Sequence, residues 1–254
     1  MRKALFFLVA GLLTAGIANA AALNVFEYTS QPYSNGNSGY GAAKKAVETL
    51  RDMGIGVSKW EGVSADGQYY FKINYIASDS LKIRTYDSLA IPEFRELKAR
   101  LGNEKARIIE EGVEYRLSTA ENTRFITVIE EAIPLQGFFS YRGSTRDGNS
   151  ADSVVNGIIA KMEKAGINVV GRDIFTTNYT LNRKSFFIDC ILPWDVAVKT
   201  LGNDAFRFRS DAQYTMERKL KTLEGSGAIV LESRTYARFP EGFSYFITCI
   251  TKKV

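Results

Sequence analysis

Histidine is absent from this 254-residue chain, cysteine occurs twice and proline five times. Without imidazole there is no Ser-His-Asp or Cys-His nucleophile system, no His-liganded zinc and no His-ligated haem. The two cysteines, Cys190 and Cys249, form no C-x-x-C pair, which removes dithiol redox chemistry. Neither G-x-S-x-G nor S-x-x-K occurs, and Gly36-Asn37-Ser38-Gly39 misses the first by a residue. The glycine-rich stretch Asn35 to Gly41 lacks Walker spacing and a following Lys-Ser/Thr, so it reads as a structural loop before a helix. No D-x-[DN]-x-[DN]-G loop is present. The sequence therefore assigns no catalytic residue, no metal site and no cofactor.

What is present is a folded protein's composition: 45% hydrophobic, 24% charged and 12% aromatic, with enough length for about two ordinary domains. Residues 1–20 read as a bacterial-type export signal. Arg2 and Lys3 form the charged start, Ala4 to Ile17 the apolar run, and Ala18-Asn19-Ala20 the small-x-small cleavage pattern. The apolar run is shorter than the ~20 residues that span a bilayer, so no transmembrane anchor is expected. The expectation is a soluble periplasmic or secreted protein. Cleavage after Ala20 takes the formal charge from +5 to about +3, which steers polyanions weakly. With export, nucleic acid is not an expected partner. An envelope protein, a glycan or an anionic lipid headgroup is. The oligomeric state is not encoded in any motif.

The chain repeats itself. Tyr70-Phe71-Lys72-Ile73-Asn74-Tyr75, Arg124-Phe125-Ile126-Thr127-Val128-Ile129, Phe186-Phe187-Ile188-Asp189-Cys190-Ile191 and Tyr245-Phe246-Ile247-Thr248-Cys249-Ile250 are strand-like, each with Phe second. Each follows a turn, a further strand-like run and a helix-like segment that stops near glycine, at Gly54, Gly102, Gly166 and Gly225. One more strand candidate precedes each helix: Val25 to Thr29, Leu81 to Tyr86, Gly137 to Arg142 and Phe206 to Ser210. The unit is β-α-β-β, four times in tandem, alternating A-B-A-B. Hairpins make antiparallel pairs, so the fold class is α+β. The expectation is two similar domains, 22–133 and 134–254, each a mainly antiparallel six-stranded sheet carrying two helices on one face. Val155, Ile158, Ile159, Met162 and Ala165, and Ala43, Val47, Leu50 and Met53, mark buried helix faces.

This alignment puts Cys190 and Cys249 in one column, with Asn74 and Val128 in the other half. If two hairpins met across a pseudo-twofold axis these cysteines would be bridged, adding roughly 4 kcal/mol in the chain-entropy model. The alternative is two separate buried thiols. Glu110-Glu111 and Glu130-Glu131 read as solvated strand positions, because adjacent strand residues face opposite ways. Asp189 reads as an outward-facing residue in an apolar strand. Alternation in Phe206-Arg207-Phe208-Arg209 puts both arginines on an outer sheet face, and Arg234 and Arg238 recur with Tyr236 and Phe239. These four arginines are the candidate binding residues. The resulting expectation is a non-enzymatic exported binding or scaffold module. The rivals are a carboxylate-dependent hydrolase of cell-wall glycan and a small-ligand carrier.

Overall fold

The computed structural model describes residues 23–33, 35–65, 67–116, 121–145, 148–178, 182–202 and 204–253, so the export-signal segment lies outside the described residues. Four times the chain runs strand, helix, hairpin. Unit one is β1 (Asn24–Thr29), α1 (Gly36–Asp52), β2 (Gly56–Ala65) and β3 (Gln68–Ala77). Unit two is β4 (Lys82–Leu89), α2 (Ile91–Asn103), β5 (Arg107–Arg116) and β6 (Glu121–Glu131). Unit three is β7 (Phe138–Thr145), α3 (Ala151–Lys164), β8 (Asn168–Asn178) and β9 (Arg183–Ile191). Unit four is β10 (Val196–Gly202), α4 (Arg209–Gly225), β11 (Ile229–Arg238) and β12 (Gly242–Lys252). In every unit the last strand is central, with antiparallel partners on both sides.

Two local devices recur in all four units and make the repeat physical. Each helix ends in a six-to-one backbone bond of the Schellman kind: Ile55 N to Leu50 O, Ala106 N to Leu101 O, Ile167 N to Met162 O and Ala228 N to Leu223 O, all 2.9–3.0 Å. The preceding residue is left-handed, and it is Gly54, Lys105, Gly166 and Gly227. Gly102 and Gly225 are thus still helical, and unit two stops on a lysine that must bear a positive φ of 53°. The second device is a bulge near the start of each hairpin, at Ser58, Ile109, Val170 and Leu231.

The bulges fix the register between units. They align Tyr75, Val128, Cys190 and Cys249, and therefore Lys72, Phe125, Phe187 and Phe246. Three of the four phenylalanines share a column. Phe71 stands one residue away, level with Phe186, and so on the opposite face of its strand. The aromatic doublet Tyr70-Phe71 invites that slip.

Each half contains two three-stranded sheets and not one of six strands. The reason is where the apolar faces go. α1 packs on β2 and β3 of its own sheet and on β5 of the next, burying Ala43, Ala46, Val47 and Leu50 between them. α3 lies likewise on β8 and β9 and against β11, burying Val155, Ile158 and Met162. A helix between two sheets makes them meet through faces, so their edges never pair. Each large apolar side chain so enclosed contributes about 1.5–3 kcal/mol. α2 rests on β6, and α4 on β11 and β12, and α4 buries only Ala212. The A-B-A-B alternation is therefore one of sandwiched and outer helices.

The first strand of unit four is Val196–Gly202. Phe206 only bridges Phe243, and the helix begins at Arg209, so Phe206 to Ser210 is not a strand. α1 also starts earlier than expected, at Gly36. Asn35 Oδ1 accepts from Ser38 N at 2.9 Å, so the glycine-rich stretch is the helix's own first turns.

A buried ionic joint ties the halves. Arg51 Nε of α1 donates to Asp189 Oδ2 at 2.8 Å, with both side chains fully enclosed. Val57 N and Ser140 Oγ also donate to Asp189, and the Arg51 guanidinium lies 4.4 Å over the Phe187 ring. Asp189 does face away from α3, as alternation requires, but α1 and β2 cover that face. Gly171 makes the close approach possible, since a Cβ there would stand 2.1 Å from the Val57 carbonyl oxygen.

The cysteines are equivalent yet unbonded. Cys190 faces α3, and Cys249 lies on the face of β12 that carries Tyr245, beside Lys219 of α4. Equivalent positions in stacked repeats point each to its own helix, which keeps the thiols on different faces. Cys190 Sγ donates to Phe139 O at 3.3 Å, and burial, aided by the Asp189 charge, pushes its thiol up to about 12. Burial raises Cys249 as well. No helix among the described residues is long and apolar enough to cross a membrane.

Candidate functional site

The bulge puts a glutamate at the same point of both even units. Glu110 pairs with Thr127 and Glu232 with Thr248. Each threonine shares a 3.1 Å hydrogen bond with a threonine of the neighbouring strand, Thr85 or Thr200. Each glutamate accepts a phenol from the first strand of the preceding unit: Tyr28 Oη at 2.5 Å on Glu110 and Tyr141 Oη at 2.7 Å on Glu232. Tyr28 and Tyr141 are equivalent, standing opposite Ile73 and Ile188. Burial, reinforced by the carboxylate, raises both phenols far above their ordinary value, so they act as donors.

Around this shared kernel the halves diverge. In the first, the chain leaves β1 at Thr29 and Tyr33 bridges Tyr69. The Tyr33 ring meets Phe125 edge-on at 6.0 Å, and Gly112 leaves it room, since a Cβ there would be 2.8 Å from Phe125. Tyr33 Oη at 2.8 Å and Gln31 N at 3.0 Å complete the shell of Glu110. Glu110 is 1% exposed, which overturns the expectation of a solvated position. Burial lifts it to about 7, although three donors act to lower it. Glu111 keeps a pKa below the ordinary carboxylate value despite burial, because Lys98 at 2.7 Å and Lys45 at 3.2 Å hold its charge. Neighbouring carboxylates pulled apart in this way resemble an acid–base pair. Both Glu110 oxygens are already occupied, however, so neither presents to a substrate.

In the second half Phe246 replaces Phe125 and Arg234 replaces Gly112. β7 runs on through Gly143 and Ser144. The ring that meets Phe246 belongs to Tyr236 of β11, with centroids 6.3 Å apart, and not to the segment after the first strand as Tyr33 does. A cleft of about 670 Å³ opens along the β7 edge, lined by Phe139, Tyr141, Ser144, Glu232, Arg234 and Phe246 among others. The Arg234 guanidinium lies 4.9 Å over Phe246 and donates to Ser144 Oγ at 3.4 Å. Its Nε is 3.9 Å from Glu232, too far for a hydrogen bond. Among the described residues the cleft combines an aromatic wall, one carboxylate, Glu232, and two guanidinium groups, Arg142 and Arg234. That mixture suits orienting a ligand.

Of the four arginines picked from the sequence, only Arg234 lines this cleft. Arg238 sits at the end of β11 and pairs with Glu241 at 2.6 Å. Arg207 precedes α4 with its guanidinium 5.4 Å over Phe208, and Arg209 is the first residue of α4. The strand alternation expected for that pair is lost with the strand. Phe208 and Phe239 beside them are exposed, Phe239 at 97%. Tyr141, Ser144 and Glu232 escaped the sequence reading. For Tyr141 and Glu232 the signal was their equivalence to Tyr28 and Glu110, which only the correct bulge register reveals; Ser144, level with Gln31, carried none. Among the described residues no group of three or more Cys, Asp or Glu side chains is placed to hold a metal ion. No family model matches the chain, and searches of curated proteins and of solved structures likewise find no match.

Proposed function

We propose that this chain is an exported, non-enzymatic binding module of the cell envelope, and that its ligand enters the cleft along β7 in the second half. The observation carrying this reading is the substitution of an open cleft for Tyr33. The two halves share a Tyr–Glu–Thr kernel, and only the second leaves its glutamate, Glu232, partly exposed, with Arg234 in place of Gly112. The amino-terminal signal pattern supports export, and the expected partners remain envelope molecules. Ser144 lines the cleft and is not one of the kernel residues, so Ser144→Trp fills the cleft with an indole. Native mass spectrometry of the protein mixed with the small-molecule fraction of a bacterial envelope tests this. The wild type is expected to retain a ligand that Ser144→Trp loses at unchanged circular dichroism. Retention by both, or by neither, contradicts the proposal.

One observation favours a second reading, a carboxylate hydrolase of cell-wall glycan: the raised Glu110 beside the lowered Glu111, both lining one recess with Tyr33 and Lys45. Sugar release from peptidoglycan by the wild type, abolished in Glu110→Gln, would support it in place of binding.

A further inference from the structure

Next to the cleft, and sharing Ser144, Ser185 and Arg234 with it, lies a smaller recess of about 400 Å³ completed by Thr145, Thr177, Arg183 and Tyr236. Among the described residues two guanidinium side chains and five hydroxyl side chains line it, and no carboxylate does. Glu232 lines the large cleft only. One polar group here is out of keeping with its burial. Thr145 is 7% exposed, yet its Oγ1 has no hydrogen-bond partner. Arg234 Nε is likewise buried and unpartnered. A buried hydroxyl or guanidinium N–H without an acceptor is costly, and native proteins keep few of them. Thr177 Oγ1 donates to the Arg183 carbonyl and one Arg234 nitrogen to Ser144 Oγ, so Thr145 Oγ1 and Arg234 Nε are the buried donors left over; together with the Arg183 guanidinium they complement a compact oxyanion, which arginine binds through its planar fork.

We infer that this recess takes the anionic end of the ligand, a phosphate-ester group held by Arg183, Arg234, Ser144 and Thr145, while the ligand's apolar body lies along Phe139 and Phe246 in the adjoining cleft. This rests on the cleft being the binding site. A free phosphate ester and a phospholipid headgroup present the same group, and both are encompassed.

Isothermal titration of the full chain with phenyl phosphate, inorganic phosphate and benzyl alcohol separates the contributions. Phenyl phosphate is expected to bind at least about tenfold tighter than either fragment, since it fills both compartments. Arg183→Gln and Arg234→Gln are each expected to weaken it about tenfold or more. Thr145→Val is expected to weaken it severalfold while raising the melting temperature of the ligand-free protein. A purely structural threonine would not give that opposition. Co-sedimentation with phosphatidylglycerol vesicles, against phosphatidylcholine vesicles, distinguishes the source: binding lost in Arg183→Gln marks a lipid headgroup, and its absence alongside phenyl phosphate binding marks a soluble ester. Benzyl alcohol binding as tightly as phenyl phosphate, with the arginine variants unaffected, overturns the anion assignment and leaves the cleft standing. No binding of any probe up to about 10 mM overturns the assignment, and if native mass spectrometry also finds no retained ligand, the cleft reading falls with it.

Discussion

In the first half Tyr33 presses on Phe125 and gives its hydroxyl to Glu110, so that Glu110 and Thr127 of the Tyr28–Glu110–Thr127 kernel are fully enclosed. In the second, Tyr141, Glu232 and Thr248 repeat the kernel at the same register, but Phe246 is only half buried and Arg234 lies across it. Placement of a ring that neither strand nor helix supplies thus decides whether a kernel serves stability or recognition. A repeat spreads the same inward-facing chemistry over both halves, and the loop after the first strand decides which copy meets solvent.

The widest test of that comparison is the joint holding the halves together. Asp189→Ala leaves the buried Arg51 with only Asp173, 3.6 Å away, and is expected to cost about 3–5 kcal/mol in urea denaturation. A loss below about 1 kcal/mol would mean the halves do not depend on the joint. Next, Phe125→Ala is expected to cost about 3–5 kcal/mol, and the equivalent Phe246→Ala less than half of that, because one site is closed and the other open. Equal losses would erase the distinction between the halves.

Glu110 sharpens it through pH. In the unfolded chain this carboxyl ionises near 4.5, in the fold near 7. Between those values the folded state holds a proton that the unfolded state releases, so its contribution is greatest below about pH 4.5 and falls away as pH rises through 7. The swing is about 3 kcal/mol. Stability curves at pH 5 and pH 8 should converge in Glu110→Gln, and an unchanged difference would remove Glu110 as the cause. The smallest effect concerns the repeat itself. Lys105→Gly gives unit two the left-handed cap residue of the others and should raise stability by about 1 kcal/mol or less. A loss in thermal denaturation would mean Lys105 is held by more than its backbone.

The order of elements was legible because strand composition, helix periodicity and turn residues are local signals. Three things were not. Tyr70-Phe71 allowed a one-residue slip that only the Ser58 bulge resolves. β10 follows β9 so closely, around Pro193 and Trp194, that the alternating Phe206-Arg207-Phe208-Arg209 drew the strand assignment away from it. The partition into four sheets depends on which helix faces are doubly covered, a tertiary fact no unit's sequence contains. Asp189 shows the same limit at one residue: alternation assigned its face correctly, and α1, more than a hundred residues earlier, decided that this face is dry.

The most direct test of the open second-half kernel is a backbone amide chemical-shift map recorded with and without the envelope small-molecule fraction. The account predicts perturbations confined to Tyr141, Ser144, Glu232, Arg234, Phe246 and their neighbours, with Tyr28, Tyr33, Glu110 and Phe125 unmoved. Perturbations centred on the Tyr33 side, or spread equally over both kernels, would contradict it.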